Sequence, residues 1–225
     1  RSFAITSYHH FVYLVVSTAL LGFGASGSLL AVLGDRADKR YEHLSTWALA
    51  GFAVAAAWAA PASSAVPVDL SYLLYDARQV GLLWAATLVL TVPFFLAGLF
   101  IGAVLRRERG RPGRTYAANL AGSGAGGFGA LALLFAFEPH TAAVLVAALV
   151  ALATVVRVLC IRRALPAWSR WGAPAGALAF VAVALVVPWT PTIDPYKAGA
   201  FVRRLESQGD ASFVDAARSP AATTV

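Results

Sequence analysis

The sequence predicts an all-α integral membrane protein, a bundle of about six transmembrane helices followed by a short extramembrane C-terminal tail. Three observations predict it. Of 225 residues, 59% are hydrophobic and only 13% charged, about half the charge of a soluble domain. The apolar residues gather into runs of about 20, the length that crosses ~30 Å of hydrocarbon. The basic residues fall in alternate loops, the pattern that orients membrane helices. Mean hydropathy is +0.70, more apolar surface than one water-facing core can hide.

The first predicted span is Phe11–Leu33. The second, Leu44–Ala60, is short and Ala-rich. The third, Val80–Leu105, contains Pro93, which a transmembrane helix tolerates with a kink. Tyr116–Phe137, Thr141–Ile161 and Trp171–Trp189 complete the set. Residues 1–190 are therefore read as the transmembrane domain. Trp58, Trp84, Trp171 and Trp189 fall near span ends, where aromatic belts sit.

Charge then assigns a side to each loop. Arg36, Lys39 and Arg40 follow span 1. Arg106, Arg107, Arg109, Arg111 and Arg114 follow span 3, and Arg162, Arg163 and Arg170 follow span 5. On the opposite side stands Arg78, between spans 2 and 3. This asymmetry reads as positive-inside topology, with both termini outside a bacterial cytoplasmic membrane. The net charge of +7 thus belongs to headgroup-facing loops, and nucleic acid is not an expected partner.

Two hexads, "GFGASG" at 22–27 and "GSGAGG" at 122–127, match the G-x-G-x-x-G spacing of a dinucleotide loop. A phosphate loop needs a preceding strand, a tight turn and a helix N-terminus aimed at the ligand. Both hexads lie inside unbroken apolar runs instead, and no cofactor is expected. Helical spacing explains them better. Gly22 with Ser26, Gly24 with Ser28, Gly98 with Gly102, and Ala118 with Gly122 and Gly126 each recur every fourth residue. Such ridges let helix backbones approach closely, so spans 1, 3 and 4 are expected to form a tight core. The hexads also recur one hundred residues apart. Three helices per half would make the halves inverted, as in transporter folds.

Few residues promise chemistry. Asn119 and Ser123, one turn apart in span 4, are a candidate polar pathway, joined by Ser26; the plainer expectation is an interhelical hydrogen bond. His9, His10 and His140 share the outer face without metal-ligand spacing, and His43 lies on the other side. Arg157, near the inner end of span 5, is expected to snorkel to the headgroups. Glu138 and Asp76 are expected to be solvated at outer span ends. The single cysteine, Cys160, offers neither disulfide nor metal site. No nucleophile–base set and no carboxylate pair on one helix face can be assembled, so no catalytic, cofactor or metal residue is assigned.

After Trp189 charge rises and the apolar runs stop. Pro188, Pro191 and Pro195 break the helix. "PYKAGAFVRRLESQ" is expected as a short amphipathic helix, and "ASFVDAA" and "ATTV" as short strands. Residues 191–225 read as an extramembrane tail that opens a further domain. Arg1 in place of Met and the β-prone close at Val225 suggest a trimmed chain.

Three stretches, "YHHFVYLVVSTALLGFGASGSLLAVLG" (8–34), "YAANLAGSGAGGFGALAL" (116–133) and "DPYKAGAFVRRL" (194–205), together resemble the membrane half of bacterial fused membrane/spermidine-synthase-like proteins. The resemblance implies a transporter-like helical segment preceding an S-adenosylmethionine-binding, aminopropyltransferase-type domain, with the junction at Pro195-Tyr196-Lys197. Position 119 is Asn where that family often has an acidic residue, and no catalytic residue carries over. The residues themselves favour a non-catalytic membrane subunit or anchor that packs with partner subunits through its small-residue seams. The alternatives are the membrane half of such an aminopropyltransferase and a small-cation or polyamine transporter module.

Overall fold

A computed structural model describes residues 10–66, 68, 75–161, 165–186, 217–218 and 223–224. Among these residues seven helices run in order: α1 (His10–Leu33), the short α2 (Asp35–Lys39), α3 (Tyr41–Ser64), α4 (Ala77–Arg107), α5 (Pro112–Ala136), α6 (Pro139–Ile161) and α7 (Ala167–Val186). All but α2 are long and apolar enough to cross a membrane. They match the six predicted spans, and every described start lies one to four residues earlier than hydropathy placed it. Hydropathy detects the part that suits oil. The helix itself extends through a polar or proline-led first turn, such as Tyr41-Glu42-His43 or Pro112. The end predicted at Trp189 lies outside the described residues.

Both glycine hexads are continuous helix, in α1 and α5, and neither is a turn. Gly34, at φ 50°, is the one glycine of positive φ among the described residues. It closes α1 with a Gly34 N–H···O=C Leu30 bond of 3.2 Å and turns the chain into α2. Asp76 caps α4, accepting from the Arg78 N–H at 2.8 Å, so it does more than face solvent. Pro93 lies buried within α4, which continues through it.

Packing centres on α3. One side of it meets α4, and the other meets α6 and α7. The second contact is an alanine seam. Ala53, Ala147 and Ala151 are fully buried, joined by Ala50, Ala57, Ala173 and Ala177. These alanines stand at helical i, i+3, i+4 spacing, and methyl-sized side chains bring three backbones together. The Trp58 indole N–H donates 3.0 Å to the Phe180 carbonyl across α3 and α7. On the far side of α4 lies α1.

The predicted core of spans 1, 3 and 4 forms in part. α1 and α4 interlock, whereas α5 contributes no buried residue and makes few contacts with its sequence neighbours α4 and α6. The reason is occupancy. The Gly98–Gly102 ridge of α4 is already covered by α1, and the Ala147–Ala151 ridge of α6 by α3 and α7. The inverted-repeat expectation asks α5 to pack on α7 as α1 packs on α4. The chief contacts of α5 are instead with α4 and α6.

Of the expected tail, the described part is a two-residue antiparallel ladder, Ala217–Arg218 with Thr223–Thr224. The amphipathic helix expected from Pro195 lies outside the described residues, as do His9, the Pro195-Tyr196-Lys197 junction and both chain ends.

Candidate functional site

Two features stand out from the residues upward: the small-residue seams, and a polar cluster where one end of α1, α3, α4, α6 and α7 gathers around α2.

The seams divide by what they meet. A Cβ at Gly22 would stand 2.7 Å from the Phe95 nitrogen and 2.9 Å from the Thr91 oxygen. At Gly98 it would collide with Ser26 Oγ and Phe23, and at Gly102 with Leu30. Gly22 and Gly98 are required by close approach, whereas at Gly102 only the end of the Leu30 side chain would have to move. Gly24, Gly122, Gly124 and Gly126 meet nothing within 4 Å, and Ser28 and Ala118 are exposed beside them. Ser26 is buried in the α1–α4 seam, its hydroxyl donating 2.7 Å to the Phe23 carbonyl of its own helix. Ser28 likewise donates to Gly24 at 3.1 Å. Asn119 is half-buried and Ser123 exposed, both on α5. The predicted polar pathway is therefore not assembled: Ser26 sits in one seam, and Asn119 and Ser123 on a helix that stands apart from it.

The polar cluster was not legible as a site in the sequence. α4 has 31 residues, about 46 Å of helix, so its last turn overshoots a ~30 Å hydrocarbon layer and carries Arg106 to α2. There Arg106 grips Asp38 with both arms of the guanidinium, Nε to Oδ1 at 2.8 Å and Nη2 to Oδ2 at 3.1 Å. Asp35 stands 3.9 Å away. The Arg106 hydrogen bonds hold the Asp38 carboxyl below its ordinary range, against a smaller opposing effect of desolvation.

A second pair lies beside the first. Arg157 of α6 donates 2.9 Å to Glu42 Oε2 and also to Ser45 Oγ, both on α3. Its guanidinium stacks on the Tyr41 ring at 5.3 Å, and Arg107 approaches the same ring at 5.5 Å. Arg157 is thus paired within the bundle: an acid of a neighbouring helix answers its charge, and its side chain is only 17% exposed. Next to it the Trp47 indole N–H donates 3.0 Å to buried Ser169 Oγ, tying α3 to α7. His43 meets Trp168 edge-on at 5.0 Å.

These contacts join loops that the charge alternation assigns to a single side: α2 with the end of α4, and the start of α3 with the end of α6 and the start of α7. Arg36, Lys39, Arg40, Arg107, Arg109, Arg111 and Arg114 border this end, and Arg162 and Arg163 lie outside the described residues. The signal that reveals the pairs is Arg157 itself, since a cation inside an apolar run implies an acid on a neighbouring helix at equal depth. Chemically the cluster is an electrostatic tie between four helices. Among the described residues no group of three metal-ligating side chains occurs. No family model, curated protein or solved structure matches this chain.

Proposed function

We propose that this chain is a non-catalytic integral membrane subunit or anchor, and that α5 is the helix through which a transmembrane helix of another membrane protein is held. One observation carries the proposal. α5 presents a ridge of Ala118, Gly122 and Gly126 in which Ala118 is exposed and the two glycines meet no atom of the described residues within Cβ reach, while the neighbouring seams are filled. Glycine in a helix interior costs about 1 kcal/mol relative to alanine. Five glycines from 122 to 129 on an uncovered helix are explained by a partner whose backbone comes close. In this reading the basic loops face the cytoplasm and the polar cluster stiffens the bundle that presents α5.

The test is a photo-crosslinking residue at Ser123, expressed in the native host. The expected result is a defined protein adduct that Gly126→Leu abolishes while leaving the melting temperature of the isolated chain unchanged. Adducts to lipid alone, or a lone monomer after gentle extraction, would refute the subunit role. An adduct of twice the chain mass would replace the foreign partner by a second copy.

A second reading, the membrane half of a spermidine-synthase-like S-adenosylmethionine-dependent aminopropyltransferase, is supported by the three resembling stretches. The ladder at 217–224 also lies where that resemblance expects opening strands. The intact mass of the native chain decides it: a value well above 23.5 kDa supports a catalytic domain, and a value near it removes the enzyme.

A further inference from the structure

Two cavities open at the polar end of the bundle. One, about 570 Å³, is lined by Lys39, Arg40, Tyr41, Arg107 and Trp168, together with the acids Asp38 and Glu42. The other, about 680 Å³, is lined by Leu33, Ala37 and Leu44 together with Arg36, Lys39, Arg40 and His43, and its exposed lining is mostly apolar. Lys39, Arg40 and His43 border both. They form a shared wall between a polar chamber and a greasy one.

The charge balance of the polar chamber is decided by its neighbours. Asp38 is engaged by Arg106, and Glu42 by Arg157. Among the described residues no carboxylate lies within ion-pair distance of Lys39, Arg40 or Arg107. Three cationic side chains therefore face this chamber without a paired carboxylate, Arg107 lying over the Tyr41 ring and acting on Asp38 only at longer range. Both acids that line the chamber are held by arginines from other helices. Basic pockets between transmembrane helices on the cytoplasmic side suit anionic headgroups. Tyr41 and Trp168 add the amphipathic rings typical of the headgroup level. The adjoining apolar chamber supplies what a free anion has no use for, a place for hydrocarbon against Leu33, Ala37 and Leu44.

We infer that this end of the bundle binds an anionic phospholipid. Its phosphate lies among Lys39, Arg40 and Arg107, and part of an acyl chain lies in the apolar chamber. Lys39 and Arg40 are then ligands of one lipid and not only members of a diffuse positive-inside field. The inference rests on the membrane-spanning reading and is independent of the subunit role of α5.

The experiment is native mass spectrometry and thermal melting of the detergent-purified chain, after membrane fractionation has shown insertion. Phosphatidylglycerol, phosphatidylcholine and inorganic phosphate are titrated separately. Phosphatidylglycerol is expected to stay bound and raise the melting temperature, with phosphatidylcholine and inorganic phosphate having little effect. Lys39→Gln/Arg40→Gln is expected to weaken phosphatidylglycerol binding about thirtyfold. Arg109→Gln/Arg111→Gln removes the same charge outside both cavities and is expected to leave binding within about threefold. Equal losses in the two variants would overturn the site in favour of diffuse attraction. An equal shift with inorganic phosphate would overturn the lipid in favour of a free anion. Binding of neither lipid would overturn both. Should the double variant fail to insert, Lys39→Gln alone supports the same comparison with Arg109→Gln.

Discussion

Replacing Gly22 by Ala and Gly24 by Ala should have opposite effects, although the two residues are separated by one position in the same hexad. At Gly22 the new Cβ would meet Phe95 N at 2.7 Å, Phe94 Cβ at 2.8 Å and Thr91 O at 2.9 Å. Two of these atoms are α4 backbone and cannot swing aside. Ordinary contact begins near ~3.5 Å, so α1 and α4 must part by somewhat under ~1 Å. A gap of that size forfeits about a quarter to a half of the dispersion well along the seam. Overpacking of this kind costs about 1–3 kcal/mol, and backbone neighbours place Gly22 in the upper part of that range. Better helix propensity returns about 1 kcal/mol, leaving a net loss of about 1–2 kcal/mol. At Gly24 nothing lies within 4 Å, so only the propensity gain remains, up to about 1 kcal/mol in favour of the variant. The assay is thermal unfolding of the full chain in one fixed detergent, followed by fluorescence-detected size exclusion. A chain of this size shifts about 2–4 °C per kcal/mol. Gly22→Ala should therefore melt several degrees lower, and Gly24→Ala the same or slightly higher. Equal melting temperatures, or a more stable Gly22→Ala, would refute the α1–α4 seam.

Two further outcomes test the polar cluster. Asp38 is held below its ordinary pKa of 3.8, chiefly by the Arg106 hydrogen bonds. Its contribution is therefore complete above that value and lost as pH falls through the lowered one. Asp38→Asn should flatten the acid limb of a pH-melting curve while lowering stability at neutral pH, and an unchanged acid limb would count against the pair. Arg157→Leu and Glu42→Gln should each cost about 2 kcal/mol, less than a fully buried pair because Glu42 stays about one-third exposed. The double variant should recover at least ~1 kcal/mol relative to additivity. Strict additivity in chemical denaturation would show that the two charges do not interact.

How many helices are long and apolar enough to span a membrane, and in what order, was legible from the residues alone. Hydrocarbon thickness sets their length, and hydropathy is a property of each residue taken alone. The residues also excluded the phosphate loop, since unbroken apolar helix on both sides of a glycine hexad leaves no room for a turn. Glycine spacing showed that ridges exist but not which ridge would be covered. Gly22 and Gly122 look alike in the sequence, yet one is pressed against α4 and the other stands clear. That outcome depends on which neighbours are already occupied, a property of the whole arrangement. The alanine seam of α3, α6 and α7 went unmarked because alanine is common enough in apolar helices to pass as filler. Arg106 and Arg157 were visible as charges at span ends. That each meets an acid from another helix emerged in the folded chain alone, because an ion pair is set by distance in space, which separation along the chain does not reveal.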